Sequence, residues 1–362
     1  MTLRLIYASP THSADLFYWG RIFTSDCFLA FEVEGQRYAI GNHLEIDELR
    51  RHSRFDRILL PEDLSPDRHP GTADLIQRIC EKFPNHELLL PRDFPAYLVL
   101  ELQGRGIQFS IADGEFLPER SLKFPEELIQ IRRACSIIGH AFEAVCSILE
   151  NSKIIDGFLH GDNGILTSEF LRSEIERICF SEGAIARETI VSCGADAAFP
   201  HNRGKGKLKA NEFIVVDIFP RLVESGYYGD MTRTFLRGEP SKQQREMYDA
   251  VEAVQRWAIG EICAGKDGKD IHEGSVAMFK EMGYDTTHST GFFHATGHGV
   301  GLDLHENPFI GERSHRLRSG EVITVEPGLY YPDRGGVRLE DVLLVREDGA
   351  EYLSNFSYDW VL

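Results

Sequence analysis

Between residues 125 and 150 apolar side chains recur at alternating spacings of three and four: Leu128, Ile131, Cys135, Ile138, Phe142, Val145 and Leu149. That spacing predicts a helix with one buried stripe, and Pro125 suits its first turn. A second helix is predicted from Thr167 or Ser168 to about Cys179. A third starts at Ser241, with Gln244 three residues on as a capping box, and turns Met247, Val251, Val254 and Ala258 inward. A fourth runs from about Asp270 to Met282 and stops before Gly283. Between and after these helices, "EFIVVDIF", "GYYGDMTRTFL", "EVITVEPGLYY" and "VRLEDVLLV" read as strands.

The first third has a different rhythm. "DCFLAFEVEG" and "RYAIG" read as strands separated by a turn, "RILLPED" and "ELLLPRD" as buried strands, and "TADLIQRICEKF" has helical spacing. This predicts a smaller α/β domain with a mixed sheet over residues 1–122. The "FLPERSLKFPEE" segment then leads into an α+β domain over residues 123–362.

Four acidic residues break the apolar pattern of the second domain. Asp217 interrupts "VVDIF", Asp230 opens "DMTRTF", Glu326 ends "VITVE", and Glu340 follows Arg338 by two in "VRLED", which places those two on one face if the strand is continuous. An aspartate at a strand end is commonly a turn residue, and Glu340 can simply pair with Arg338. Four such carboxylates on buried-looking strands are harder to explain one by one. Clustered, they repel one another unless protonated or bound to cations, and two divalent ions carry the matching charge. Oxygen-rich ligation with one imidazole suits Mn²⁺, Co²⁺, Fe²⁺ or Zn²⁺.

Histidines add to the picture. "HATGHGVGLDLHENP" holds His294, His298 and His305. The four-residue step from His294 to His298 would fit a helical metal site, but Gly297, Gly299 and Gly301 oppose a helix. The segment reads instead as a strand or loop whose glycines permit close backbone approach. His201 sits in "FPHNRG", an ordinary polar turn by composition. His272, His288 and His315 read as surface residues and Arg233 as structural.

The chain has 362 residues and a formal net charge of −18. The acidic balance argues against sequence-independent binding of nucleic acid or an anionic membrane. No stretch is apolar enough to span a bilayer, and the N-terminus lacks the apolar run of a signal peptide. Seven scattered cysteines, none in C-x-x-C spacing, oppose a disulfide framework and fit a reducing, cytoplasmic compartment.

The motifs "FPHNRG", "VVDIF", "GYYGDMTRTF", "HATGHGVGLDLHENP", "VEPGLYY" and "VRLEDVLLV", in that order, resemble those of the pita-bread metallopeptidases: methionine aminopeptidase, aminopeptidase P, prolidase and creatinase. The first third is similar, more weakly, to the N-terminal domain of the prolidase and aminopeptidase P branch. The resemblance implies a pita-bread fold for residues 123–362 and two divalent metal ions held by Asp217, Asp230, His298, Glu326 and Glu340. It implies that Asp230 and Glu340 bridge the two ions. It implies catalytic roles for Glu326 as general base and for His201, which would contact substrate and stabilise the tetrahedral intermediate. His305, counted with the catalytic residues, would line the pocket with His294. Tyr330 would lie at the substrate, and Arg338 would steady Glu340. The implied activity is hydrolysis of Xaa-Pro bonds in dipeptides or short peptides, by a homodimer. The competing readings are a metallo-aminopeptidase without proline preference, a non-peptidase enzyme such as creatinase, and a non-catalytic binding protein on the same fold. One departure stands out. The family's usual D-x-G is here Asp217-Ile218-Phe219, and the spacing to Asp230 is two residues longer than usual. One residue added to each arm of a hairpin would keep both aspartates on one face.

Overall fold

In the computed structural model, which describes residues 2–67 and 69–362, the chain forms two compact units, Met1–Arg120 and Ser121–Leu362. The first is built on a six-stranded sheet. Its strands run in the order Arg57–Leu59, Gln36–Ile40, Phe28–Val33, Thr2–Ala8, Glu87–Leu90 and Phe109–Ile111. The three strands Gln36–Ile40, Phe28–Val33 and Thr2–Ala8 pair antiparallel with one another, and the outer pairings are parallel, so the sheet is mixed. Leu3, Leu5 and Phe31 share a core with Ile76 and Ile79 of the helix Thr72–Lys82. The "RILLPED" strand differs from the expected buried one. It shrinks to Arg57–Leu59 at the sheet edge and is exposed or half-buried throughout, because an edge strand has a neighbour on one side only.

The second unit places four helices against antiparallel sheets. The helix Pro125–Glu150 buries Ile131, Cys135, Ile138, Phe142, Val145 and Leu149. Leu128 is only half-buried, and Glu127 takes the buried place, accepting from Phe124 N at 2.8 Å and bonding the Tyr227 hydroxyl. Thr167 caps the helix Ser168–Ser181 through Phe170 N. Ser241 and Gln244 exchange the two bonds of a capping box at the helix Lys242–Gly260. The fourth helix runs Gly268–Glu281 behind the N-cap Asp267.

The first two of these helices pack on the three-stranded sheet of Ile190–Cys193, Ile214–Ile218 and Met231–Phe235. The other two pack on a five-stranded sheet, ordered Glu306–Ile310, Gly297–Gly299, Val322–Val325, Asp341–Arg346 and Gly349–Tyr352, and on the ribbon Gly328–Tyr331 with Gly335–Arg338. Each fully buried Leu, Ile or Phe in these cores contributes roughly 1.5–3 kcal/mol.

Two predicted strands turn out to be broken. "EVITVEPGLYY" divides at Glu326 and Pro327, and "VRLEDVLLV" divides at Leu339 and Glu340. In both, the chain leaves one sheet and joins the other. The side chains at these crossings are released from period-two alternation. Two of the four acidic residues occupy them.

Candidate metal centre and active site

Asp217 lies in the Ile214–Ile218 strand, directly opposite Thr232. Asp230 precedes the facing strand and is two residues from Thr232, so both aspartates share one face. His298 is the middle residue of the strand Gly297–Gly299. Its flanking glycines meet a steric demand. A Cβ on Gly297 would fall 1.9 Å from the Thr324 carbonyl oxygen, and one on Gly299 would fall 2.3 Å from that of Asn307. Only a bare backbone fits between the two neighbouring strands.

These elements converge. Ligand atoms of Asp230, His298 and Glu340, all buried, lie within 4.8 Å of one another. His298 Nε2 is 3.3 Å from Glu326 Oε1 and 3.7 Å from Asp230 Oδ2. Its Nδ1 is 3.1 Å from the Gly299 carbonyl oxygen, a contact that assigns Nδ1 as the donor and turns Nε2 toward the carboxylates. Asp217 accepts from Arg338 Nη2 through Oδ2 at 2.7 Å, while its Oδ1 is buried with no hydrogen-bond partner. A buried, unpartnered carboxylate oxygen beside three further acids is a donor set suited to a cation.

Burial, then the charge of Asp217, raises Asp230 well above the usual carboxylate range. Burial, then Asp230 and Glu326, does the same to Glu340. Burial also raises Asp217, opposed by the Arg338 charge. Burial works against ionisation of Glu326, yet the hydrogen bond and charge of His298 hold it at about 2. Burial likewise disfavours the His298 cation, but Glu326 raises it to about 9. Four carboxylates thus face one guanidinium and one imidazole, and positive charge is in deficit.

The five residues open onto a cavity of about 560 Å³, whose lining also includes His201, Asn202, His294, His305 and Arg338. His294 Nε2 lies 3.1 Å from the Tyr330 hydroxyl, and burial lowers its pKa. The His298 and His305 rings meet edge to face at 4.3 Å. His201 and His305 are exposed at the cavity wall, and Tyr330 is fully buried, its hydroxyl accepting from Arg338 Nη1 at 2.9 Å and donating to Nε2 of His294, whose Nδ1 is turned to the Ala295 carbonyl.

Two readings change, those of Arg338 and His272. Arg338 does not touch Glu340. It binds Asp217 directly and reaches Glu340 only through Thr232, whose hydroxyl accepts from Arg338 Nε at 3.2 Å and donates to Glu340 Oε2 at 2.7 Å. The crossing at Leu339 removes Glu340 from the strand face that Arg338 occupies. His272 is half-buried rather than superficial, with Nδ1 2.9 Å from Thr296 Oγ1. Thr296 in turn accepts Glu326 N through its carbonyl. Arg233, read as structural, is fully buried and binds the carbonyl of Glu340 and the carboxylate of Asp341. Thr232 went unnoticed in the sequence, although its two-residue step from Asp230 marks it as sharing that face.

The signature of Peptidase M24, metallopeptidase family M24, matches residues 129–347. The chain belongs to this family. A curated relative, the Xaa-Pro dipeptidase of Pyrococcus furiosus, is 33% identical over 251 residues, covering 68% of this chain and 67% of that protein. An uncharacterized peptidase of Staphylococcus saprophyticus is 31% identical over 337 residues, 91% of this chain and 87% of its own. Among solved structures, the X-Pro aminopeptidase of Thermotoga maritima superposes with a TM-score of 0.83 at 23% identity, covering 100% of this chain and 98% of that one. The prolidase of Pyrococcus furiosus gives 0.80 at 23% identity, over 99% and 97%. The family's pita-bread fold is that of the second unit, which holds the matched residues 129–347, and both solved structures share their fold with nearly the whole chain. Among the described residues, no helix is long and apolar enough to cross a membrane.

Proposed function

We propose that this M24 chain is an Xaa-Pro peptidase that releases the first residue of dipeptides or short peptides with proline second. The observation that carries the reading is the convergence of Asp217, Asp230, His298, Glu326 and Glu340 on one cavity, with Asp217 Oδ1 buried and unpartnered. Those five residues would hold two divalent ions. Bound there, the ions supply Lewis acidity and lower the pKa of water. Mn²⁺, Co²⁺, Zn²⁺ and Fe²⁺ all suit the donor set.

The chain's own groups do the rest. Glu326 takes the proton of the attacking water on its carboxylate and returns it to the leaving amine. His201 and His305, exposed on the cavity wall, hydrogen-bond the developing oxyanion and the substrate. His294, held by Tyr330, lines the pocket. Arg338 orients Asp217 directly and Glu340 through Thr232. The preference for proline rests on the named relatives. Seven free cysteines fit a cytoplasmic location, and a homodimer is proposed by analogy.

The test uses chelator-stripped protein reloaded with Mn²⁺, Co²⁺ or Zn²⁺, assayed on an Xaa-Pro dipeptide, an Xaa-Pro-Yaa tripeptide and an Xaa-Ala dipeptide. Metal-dependent cleavage of the first, lost in Glu326→Ala, supports the proposal, and the tripeptide separates dipeptidase from aminopeptidase. Cleavage of Xaa-Ala alone defeats the proline preference.

A further inference from the structure

The longer hairpin between Asp217 and Asp230 keeps its register. Asp217 faces Thr232 and Ile218 faces Met231. Gly229 N then donates to the Pro220 carbonyl at 3.1 Å, Arg221 bridges Tyr228, and Leu222 N donates to the Tyr227 carbonyl at 2.9 Å. Each step advances one residue on one arm and retreats one on the other, with no bulge. In that register Phe219 stands across from Asp230 and on the same face as Asp217. All three line the cavity.

A phenyl ring therefore stands at the aspartate end of the cavity, at a position where the family pattern has glycine. It ligates nothing and carries no proton. What it offers is apolar surface and lost volume. It does not stand alone. Phe199, Phe293 and Phe309 also line the cavity and leave 55%, 36% and 40% of their surfaces exposed. Large exposed aromatics around a polar floor mark a ligand wall.

We infer that Phe219 is a specificity-determining residue, receiving the side chain of the substrate's first residue and selecting peptides that begin with a bulky apolar residue. This rests on the peptidase reading. There the free amine is drawn to the carboxylates, and the first side chain, one carbon away, falls beside the ring across from Asp230. An apolar wall discriminates by shape and by refusing hydrogen bonds to a polar side chain. Leucine and asparagine are close in size and separate the second effect from the first.

The test compares wild type, Phe219→Ala and Phe219→Leu, each Mn²⁺-loaded. Leu-Pro and Asn-Pro are assayed for kcat/KM, and L-leucine hydroxamate and L-asparagine α-hydroxamate are titrated calorimetrically. Wild type is expected to favour the leucine compound at least about tenfold in both measurements. Phe219→Ala is expected to lose most of that ratio, and Phe219→Leu, which keeps apolar bulk, to retain it. If no Xaa-Pro dipeptide is cleaved but the hydroxamate ratio collapses in Phe219→Ala, the proline reading fails and this inference stands. Equal hydroxamate ratios in wild type and Phe219→Ala, or no preference for leucine in wild type, overturn it whatever is cleaved.

Discussion

Thr232 and Glu340 are joined twice. Glu340 N donates to the Thr232 carbonyl at 3.1 Å, and Thr232 Oγ1 donates to Glu340 Oε2 at 2.7 Å. Both residues are buried. The same hydroxyl accepts from Arg338, so one threonine sets the angle of one carboxylate and shares the cation that binds another, Asp217.

Thr232→Val keeps the shape and removes the hydroxyl. Metal affinity is expected to fall roughly 10–100-fold, as for other partners that orient metal ligands. Stability should fall by about 1–3 kcal/mol, because Arg338 Nε and Glu340 lose a partner in a buried site. Calorimetric titration with Mn²⁺ measures the first effect and urea unfolding the second. Thr232→Ser should restore the affinity. An unchanged Kd for valine would remove Thr232 from the site's support.

Glu326→Gln retains bulk but cannot take a proton. A fall in kcat of at least about 10²-fold is expected from loss of general-base action. Because Glu326 also pairs with His298 at 3.3 Å, metal content by mass spectrometry under native conditions must accompany the rates. A variant that keeps its metal and most of its kcat would leave proton transfer to another group.

The acidic cluster predicts how chelator-stripped protein responds to pH. Asp230 and Glu340 are raised in the folded state, so the native protein holds protons that the unfolded chain releases. Their contribution is largest below the ordinary carboxylate range and is lost as pH rises through their raised values. His298, raised to about 9, contributes fully below its ordinary 6.5 and loses that contribution as pH climbs through 9. Glu326, lowered to about 2, acts the other way and loses its contribution only as pH falls toward 2. The Tm of stripped protein should therefore decline between pH 6.5 and 9. Mn²⁺ at a hundred times its Kd should add about 2.7 kcal/mol at a given pH. Glu326→Gln, which removes the carboxylate that raises His298, should flatten the decline, and a Tm of stripped wild type that rises over this range would contradict the assignment.

Lys123 Nζ lies 2.6 Å from Glu306 Oε1, with side chains only 1% and 7% exposed. Glu306 follows His305 directly and faces Gly299, the neighbour of His298. Removing one member of a buried ion pair typically costs about 3–5 kcal/mol. Lys123→Met is expected to show that loss and a lower kcat/KM through displacement of His305. The double variant Lys123→Met with Glu306→Met should recover most of the stability, which thermal unfolding would reveal.

Much of the site was legible because each signal is local. The apolar stripe of Pro125–Glu150, the Ser241–Gln244 box and the glycines around His298 each report a constraint within one element. The four acidic positions stood out because charge is costly in an apolar run, and His298 joined them only through the resemblance of its motif to the family's. What a residue touches across elements is decided elsewhere. Whether "VRLED" is one strand or a crossing depends on which sheet claims Asp341–Arg346. That choice sends Arg338 to Asp217, hangs Glu340 from Thr232 and buries Arg233 beneath them.

The sequence alone thus determined the helices through periodicity and the chemistry of the acidic set through side-chain type, both carried by neighbouring residues, and pointed to the family through the order of its motifs. Only the tertiary structure decided the partners. Strand register across the 217–232 hairpin and the two sheet crossings at residues 326–327 and 339–340 bring together side chains over a hundred positions apart. Such pairings follow from the packing of whole sheets and helices.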